Sequence, residues 1–260
     1  MYYGLLSLAA KVPAAGYDSD AQAFFTAAGI TDTTQKSAVN QLVLDLKSYS
    51  IWTKMKALYP FVGGTASTHK YNLKDTSLYQ ITWYGGVTHT SNGVETNGST
   101  GYGDLSISPS NTSQNNASIG VYCRTEGTIN GYDIGNSTGL YTILSAKNSN
   151  VFYGAINSGG QGSVSNTSAK GLFIASRLTS TTQKGYKNGS LLFTDTNSSS
   201  ATETGPFFIG GIYRFGATLP FAPVDRQYAF AYVGDGLTDT EAANLYTAVQ
   251  AFQTTLSRNI

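Results

Sequence analysis

The chain predicts a mainly β fold, a many-stranded sandwich with helices at its two ends, and three observations carry that reading. The first is composition: 29 of the 260 residues are glycine and 18 are tyrosine while only 12% are charged, a mixture suited to short strands joined by tight turns. The second is the stretch 185–211, where Asn188-Gly189 separates Tyr186-Lys187 from Leu191-Leu192-Phe193. Both turn residues tolerate the positive φ of a type I′ turn, so a hairpin is expected there, followed by a short core strand at Phe207-Phe208-Ile209. The third is the segment 227–233, in which Tyr228, Phe230 and Tyr232 alternate with Ala229, Ala231 and Val233, so that both faces of one strand are covered.

At this length roughly three quarters of the extended surface can be buried, enough for one large sandwich. The apolar run at residues 4–10 has no basic residues before it and falls far short of the ~20 apolar residues of a membrane span. It is read as neither signal peptide nor anchor, and no membrane insertion is expected.

Asp18 or Asp20 caps a short helix through residues 22–25, with Gly29 placed for a left-handed C-cap. Asp32 and Gln35 have capping-box spacing, and Val39, Leu42, Val43, Leu46 and Tyr49 recur on one helical face. A third helical piece places Trp52, Met55, Leu58 and Tyr59 on one side and Lys54 and Lys56 on the other, and Pro60 stops it. Such short amphipathic pieces cannot bury their stripes alone and must pack on the β domain, on each other or on a partner chain. Residues 1–75 are therefore read as a helical attachment segment, with Phe24, Phe25, Trp52 and Met55 as candidate assembly contacts, and residues 76–260 as the sandwich.

Strands are expected at residues 78–84, 102–107, 119–125, 140–146, 151–156, 172–177, 183–187, 190–194, 207–209 and 227–233, and the polar run 194–204 is read as a mobile loop. The chain closes with a helix over residues 239–256. Thr238 and Glu241 form its capping box, Leu245, Val249, Phe252 and Leu256 its apolar stripe, and Arg258 suits the negative end of its dipole.

A net charge of +1 with no block of like charge removes the electrostatic case for nucleic acid. The single cysteine, Cys123, lies in an apolar run and reads as a buried thiol without a disulfide partner. Glycoside hydrolysis needs a carboxylate pair, most simply at alternate positions on one strand face, yet Glu95, Glu126, Glu203 and Glu241 are scattered. The chain is accordingly expected not to be an enzyme. Residues 135–139 match G-x-S-x-G but join two strands and so read as a turn, not a nucleophile elbow. With only His69 and His89, both read as surface or loop residues, neither a triad nor a zinc site is expected, and no cofactor or metal is implied. Sugar binding would need exposed aromatics beside polar groups, for which Trp83, Tyr84, Tyr213 and Arg214 are the candidates; the alternative is that these rings fill the core or an intersubunit face.

The order of parts over residues 78–256 resembles the concanavalin A-like, laminin G-type lectin and glucanase sandwich, a jelly roll. The resemblance is carried by the glycine turn Asn97-Gly98-Ser99-Thr100-Gly101-Tyr102-Gly103-Asp104, the Lys187-Asn188-Gly189 hairpin, the strand Phe207-Phe208-Ile209-Gly210-Gly211, and the strand 227–233 leading into Leu237-Thr238-Asp239-Thr240-Glu241. A second resemblance covers Ala27-Ala28-Gly29-Ile30-Thr31-Asp32, Ile51-Trp52-Thr53-Lys54-Met55 and residues 59–66, and is similar to a segment of tailed-bacteriophage virion proteins. It implies a homo-oligomeric fibre, decoration or tail-attached component of a virion, partnered by other virion proteins. The lectin-like resemblance implies the alternative, a carbohydrate-binding module that adheres to a host surface glycan.

Overall fold

The computed structural model describes residues 16–215 and 219–260; the apolar run at residues 4–10 lies outside them. Two helices come first, α1 (Ser19–Ala28) and α2 (Thr33–Ser48). Asp18 caps α1 by accepting the Asp20 N–H at 3.0 Å, and Lys47 of α2 reaches Asp18 and Asp20 at 2.8 and 2.7 Å, so the cap also ties the two helices together. Asp32 caps α2 by accepting the Gln35 N–H at 2.8 Å. The reciprocal half of that capping box is not made, because the Gln35 side-chain oxygen accepts the Gly63 N–H at 2.9 Å instead.

The expected third helix is not formed. A 3₁₀ turn over Trp52–Lys54 leads into a strand, β1 (Met55–Tyr59), which pairs antiparallel with the strand carrying Tyr232 and Val233. Met55, Leu58 and Tyr59 satisfy helical and strand spacing alike. The open edge of a central strand decided between them, since pairing there satisfies the backbone of a five-residue segment better than a helix of that length can.

A single helical turn, α3 (Ala66–His69), is followed by β2 (Thr82–Tyr84), β3 (Thr88–Thr90), β4 (Gly93–Glu95), β5 (Tyr102–Asp104), β6 (Ala117–Cys123), β7 (Ile134–Ser137), β8 (Tyr141–Asn148), β9 (Val151–Ser158) and β10 (Gly162–Ser165). Then come β11 (Gly171–Thr179), β12 (Thr182–Lys187), β13 (Ser190–Asp195), β14 (Phe208–Ile209), β15 (Tyr213–Arg214), β16 (Gln227–Gly234) and α4 (Asp239–Thr255). The strand expected from residue 78 begins only at Thr82, because Tyr79 takes a positive φ of 55° that an extended run does not allow. The strands that sequence periodicity missed, β3, β4, β7, β10 and β15, are two to four residues long.

The strands form two sheets. The first runs β13-β12-β11-β6-β16-β4-β3, with β1 also beside β16; the second runs β10-β9-β8-β7-β14-β5-β2, with β15 parallel to β7. This is the jelly-roll-like sandwich that the sequence predicts. Residues of both sheets, among them Ile119, Val121, Phe173, Phe152, Ile134 and Ile209, make the core between them. A second core lies on the other face of the first sheet, where Tyr122, Ile174, Phe230 and Tyr232 meet α1, α2 and α4. β6, β11 and β16 are thus covered on both faces, and the all-apolar alternation of residues 228–233 is the sequence trace of that burial. The helices form a third layer rather than a free appendage.

Phe24, Phe25, Trp52 and Met55, the expected assembly contacts, are 1%, 2%, 7% and 2% exposed and belong to this helix-side core. Their apolar stripe is closed by the chain's own first sheet and α4, so these side chains are not offered to a partner. Among the described residues no helix is long and apolar enough to cross a membrane.

The predicted hairpin is β12 and β13, turning at Asn188 (φ 50°) and Gly189 (φ 76°) as a type I′ turn demands. It forms the edge of the first sheet, whereas β14 sits inside the second, so residues 196–207 carry the chain from one sheet to the other.

Three of the five arginines in the sequence are buried and act as braces. Arg177 donates to the carbonyls of Ile156, Thr179, Ser180 and Asn197, and Arg258 to those of Pro60, Phe61 and Ala229 and to the Gln253 side chain. Arg258, expected to complement a helix dipole, instead plugs the junction of β1, β16 and α4, and burial lowers its pKa to about 9. Arg226 pairs with Asp133 at 2.7 Å, with side-chain exposures of 1% and 0%. Asp133 also accepts from the Tyr228 hydroxyl at 2.8 Å, the Cys123 thiol at 3.8 Å and the Ala146 N–H at 2.6 Å, and Arg226 donates onward to the carbonyls of Glu126 and Lys147. Burial, with Asp133 alongside, pushes the Tyr228 hydroxyl and Cys123 thiol well up, so both remain protonated donors.

Replacing Asp133→Asn leaves the Arg226 guanidinium buried without a counter-charge and is expected to cost about 3–5 kcal/mol, read from the urea midpoint. The double variant Asp133→Leu with Arg226→Met should be less destabilised than Asp133→Asn alone; the opposite order would mean the pair itself, and not the stranded charge, carries the energy.

Candidate functional site

Strand alternation divides the residues expected to bind sugar. Trp83 pairs with Gly103 and faces inward, where its ring packs against the inter-sheet core with Phe61 at 6.0 Å and His89 at 4.9 Å between centroids. Tyr84, one residue on, pairs with Tyr102 and points outward at 45% exposure. Adjacent in sequence, the two cannot serve one surface site. Tyr213 and Arg214 lie on β15 beside β7, with Tyr213 half-buried and Arg214 exposed.

On the outer face of the second sheet, two rings that the sequence reading did not select connect two that it did. Tyr84 stacks on Tyr102 at 4.8 Å, Tyr102 meets Phe208 at 4.5 Å, and Phe208 meets Tyr213 edge-on at 5.2 Å. This row crosses β2, β5, β14 and β15. Its only sequence signal is that Tyr102 and Phe208 sit at outward positions once the register Phe208–Asp104 is known.

At the Tyr213 end the face opens into a groove. Gly205 lies under the Tyr213 ring, where a β-carbon would come within 2.1 Å of it, and the Asn136 amide fixes this crossing by donating to the carbonyls of Gly205 at 2.6 Å and Pro206 at 3.1 Å. Glu203 braces the β7–β8 turn, its carboxylate accepting from the Thr138 hydroxyl and from the Leu140 N–H at 2.9 Å. Residues 135–137, the first part of the G-x-S-x-G match, are strand, and the turn follows them, so no nucleophile elbow exists there. Across the groove, Ile212 and Phe221 exchange backbone hydrogen bonds of 3.1 and 2.9 Å.

Two adjoining cavities result. One, of about 420 Å³, is lined by Ser137, Thr138, Tyr141, Arg214 and Phe221; the other, of about 360 Å³, by Glu203, Thr204, Pro206 and Tyr213. Thr138 and Phe215 line both, and Phe215 is 83% exposed. Hydroxyls and charged groups thus surround a projecting ring, the arrangement in which an aromatic face takes an apolar surface and polar groups take hydroxyls. Sequence reasoning missed Phe215, Phe221, Tyr141 and Glu203 here, since they come from the start of β8 and from separate loops that only the fold converges. No group of three or more metal-ligating side chains occurs among the described residues.

No protein-family model and no curated protein sequence matches the chain. Solved structures do. Domain 4 of a GH43 extracellular arabinanase from Geobacillus stearothermophilus, in complex with arabinotriose, superposes with a TM-score of 0.53 at 14% identity, over 74% of this chain and 98% of that one. A Trypanosoma rangeli sialidase mutant displaying trans-sialidase activity gives 0.55 at 11% identity, over 82% of this chain but only 39% of that one. The binding domain of botulinum neurotoxin serotype D/C gives 0.52 at 13% identity, over 76% of this chain and 53% of that one. At such identities the likeness carries the fold alone, a β-sandwich that recurs in an arabinanase domain, a sialidase and a neurotoxin binding domain.

That finding corrects the expectation that the chain is not an enzyme, because the fold is one that occurs within chains of glycoside hydrolases. The physical fault in the expectation is that alternate spacing on one strand is only one way to build a carboxylate pair. Carboxylates from different loops can be converged by the fold, as Glu203 is brought to the groove, and spacing is blind to that.

The two histidines, expected apart on surface or loops, meet. His69 is 1% exposed and its Nε2 accepts the Gly64 N–H at 3.1 Å, so its proton sits on Nδ1 and is donated to His89 Nδ1 at 3.1 Å. Burial, then the nearby His89 and Arg258, lower the His69 pKa to about 3, and burial lowers that of the half-buried His89. Because the unfolded chain takes up a proton near pH 6.5 that folded His69 refuses until about 3, stability is full above that range and falls as pH drops through it. The loss should approach roughly 5 kcal/mol at its limit near pH 3, at about 1.4 kcal/mol per pH unit. Urea midpoints between pH 7 and 4 should converge for the wild type and His69→Gln as the pH falls; parallel curves would show that the pair does not titrate this way.

Proposed function

We propose that the chain is a carbohydrate-binding module whose ligand lies in the two-cavity groove across Phe215. The observation that carries this reading is the projecting, solvent-exposed ring set between two depressions lined by Thr138, Ser137, Tyr141, Tyr213 and the Glu203 carboxylate. Each cavity falls in the lower part of the roughly 300–1,000 Å³ range of small-ligand sites, so the pair suits a short run of sugar rings rather than one. The recurrence of the fold in an arabinanase domain holding arabinotriose supports the same class of ligand.

The likeness of residues 24–75 to a segment of phage virion proteins supports placing such a module on a virion, where a host surface glycan would be its target. Labelling of intact particles with an antibody against residues 76–260 tests that placement, and particles without label exclude it.

On a glycan array the wild type should retain at least one oligosaccharide. Phe215→Ala and Tyr213→Ala should each weaken that binding roughly five- to tenfold, in line with about 1 kcal/mol or more for a lost aromatic contact. Trp83→Phe, on the inner face, should leave it unchanged. Release of reducing sugar from the retained glycan, followed in the same samples, reports whether the groove also hydrolyses it. An array without a retained glycan, or unaltered binding by both groove variants, sinks the proposal.

A further inference from the structure

Resting on the reading of the groove as a glycan site, we infer that its ligand bears a carboxylate, received by Arg214. The five arginines are put to different uses. Arg177, Arg226 and Arg258 are buried and donate to carbonyls, a side-chain amide or Asp133, and Arg124 donates to the Arg258 carbonyl and the Gln227 side chain. The Arg214 guanidinium alone makes no hydrogen bond and no ion pair among the described residues, its backbone being held in the β15–β7 pair. The segments outside the description, residues 1–15 and 216–218, contain no Asp or Glu that could pair with it.

Arg214 is nevertheless held in place. Its guanidinium lies over the Phe221 ring at 4.3 Å, and Phe221 is itself fixed by its backbone bonds to Ile212. Stacking restrains the guanidinium plane while leaving its edge donors unused, and that planar fork matches a carboxylate in a bidentate pair. It lines the larger cavity together with Ser137, Thr138 and Tyr141, which offer hydroxyls to the rest of a sugar ring. Glu203, the one carboxylate of the groove, lines the other cavity and is occupied by Thr138 and Leu140. A carboxylated ring therefore fits the Arg214 cavity and a neutral ring the Glu203 cavity, with Phe215 between them.

The test uses the full chain and a glycan array that holds neutral, carboxylated and sulfated oligosaccharides. The strongest binder should be carboxylated, and methyl esterification or reduction of its carboxyl should weaken it at least tenfold. Arg214→Gln should weaken the carboxylated ligand about tenfold, Arg214→Lys less, and raising salt from 50 to 500 mM should remove most of the difference. Because Arg214 is exposed, both variants should keep the wild-type melting temperature. A neutral or sulfated strongest binder, or a carboxylated one indifferent to Arg214→Gln, overturns this inference while the groove variants at Phe215 and Tyr213 still report on the glycan reading. If no glycan of any kind is retained, both fall together.

Discussion

The sandwich hinges on a buried charge, the Asp133 carboxylate set between the sheets with Arg226. Taking both ions out of water costs several kcal/mol each, and only a full set of partners returns it. The fold supplies that set: Asp133 gathers Arg226, Tyr228, Cys123 and the Ala146 N–H, while Arg226 continues to the carbonyls of Glu126 and Lys147. Those groups come from β6, β16 and the residues flanking them in one sheet, and from β8 and the residue just before β7 in the other. A hydrophobic core alone tolerates sliding of one sheet on the other, but this network is satisfied at one relative position.

The same economy of cations runs through the molecule. Arg177 ties β11 to β9 and to the crossing segment 196–207, and Arg258 fastens the end of the chain to the residues after β1 and to β16. Helices, first sheet and second sheet are thereby locked as three layers, and the loops at the far face inherit a rigid base. Rigidity there matters for the groove, because a ligand site built on loops is only as defined as the strands and braces beneath it. The Tyr84–Tyr102–Phe208–Tyr213 row and the Glu203 brace are part of that base.

Much of the fold was legible in the chain because the responsible signals are local. Asn188-Gly189 can hardly be anything but a hairpin turn, Thr238 and Glu241 cap α4 as their spacing requires, and the apolar run of β16 reports burial on both faces. The candidate site was legible only in part. Tyr213 and Arg214 lie at the groove and Tyr84 on the same face, but Trp83 turned inward, since neighbours on a strand face opposite ways. Phe215, Phe221 and Glu203 escaped notice because they become neighbours of Thr138 only when β15 docks beside β7. Phe24, Phe25, Trp52 and Met55, read from the sequence as assembly contacts, lie in the helix-side core, as an amphipathic stripe does not announce which surface covers it.

By itself the sequence determined the fold class, the hairpin, the capped terminal helices and the near-neutral charge, all of which follow from turn chemistry, periodicity and composition acting within a few residues. Tertiary structure decided the rest. It turned residues 55–59 from a helix into a strand by offering them an open edge, joined His69 to His89 across twenty residues, buried three arginines as braces, and left the Arg214 guanidinium stacked on Phe221 at the mouth of a groove, unpaired among the described residues. Each of these depends on groups distant in sequence meeting at hydrogen-bond range, and no local pattern of side chains encodes such a meeting.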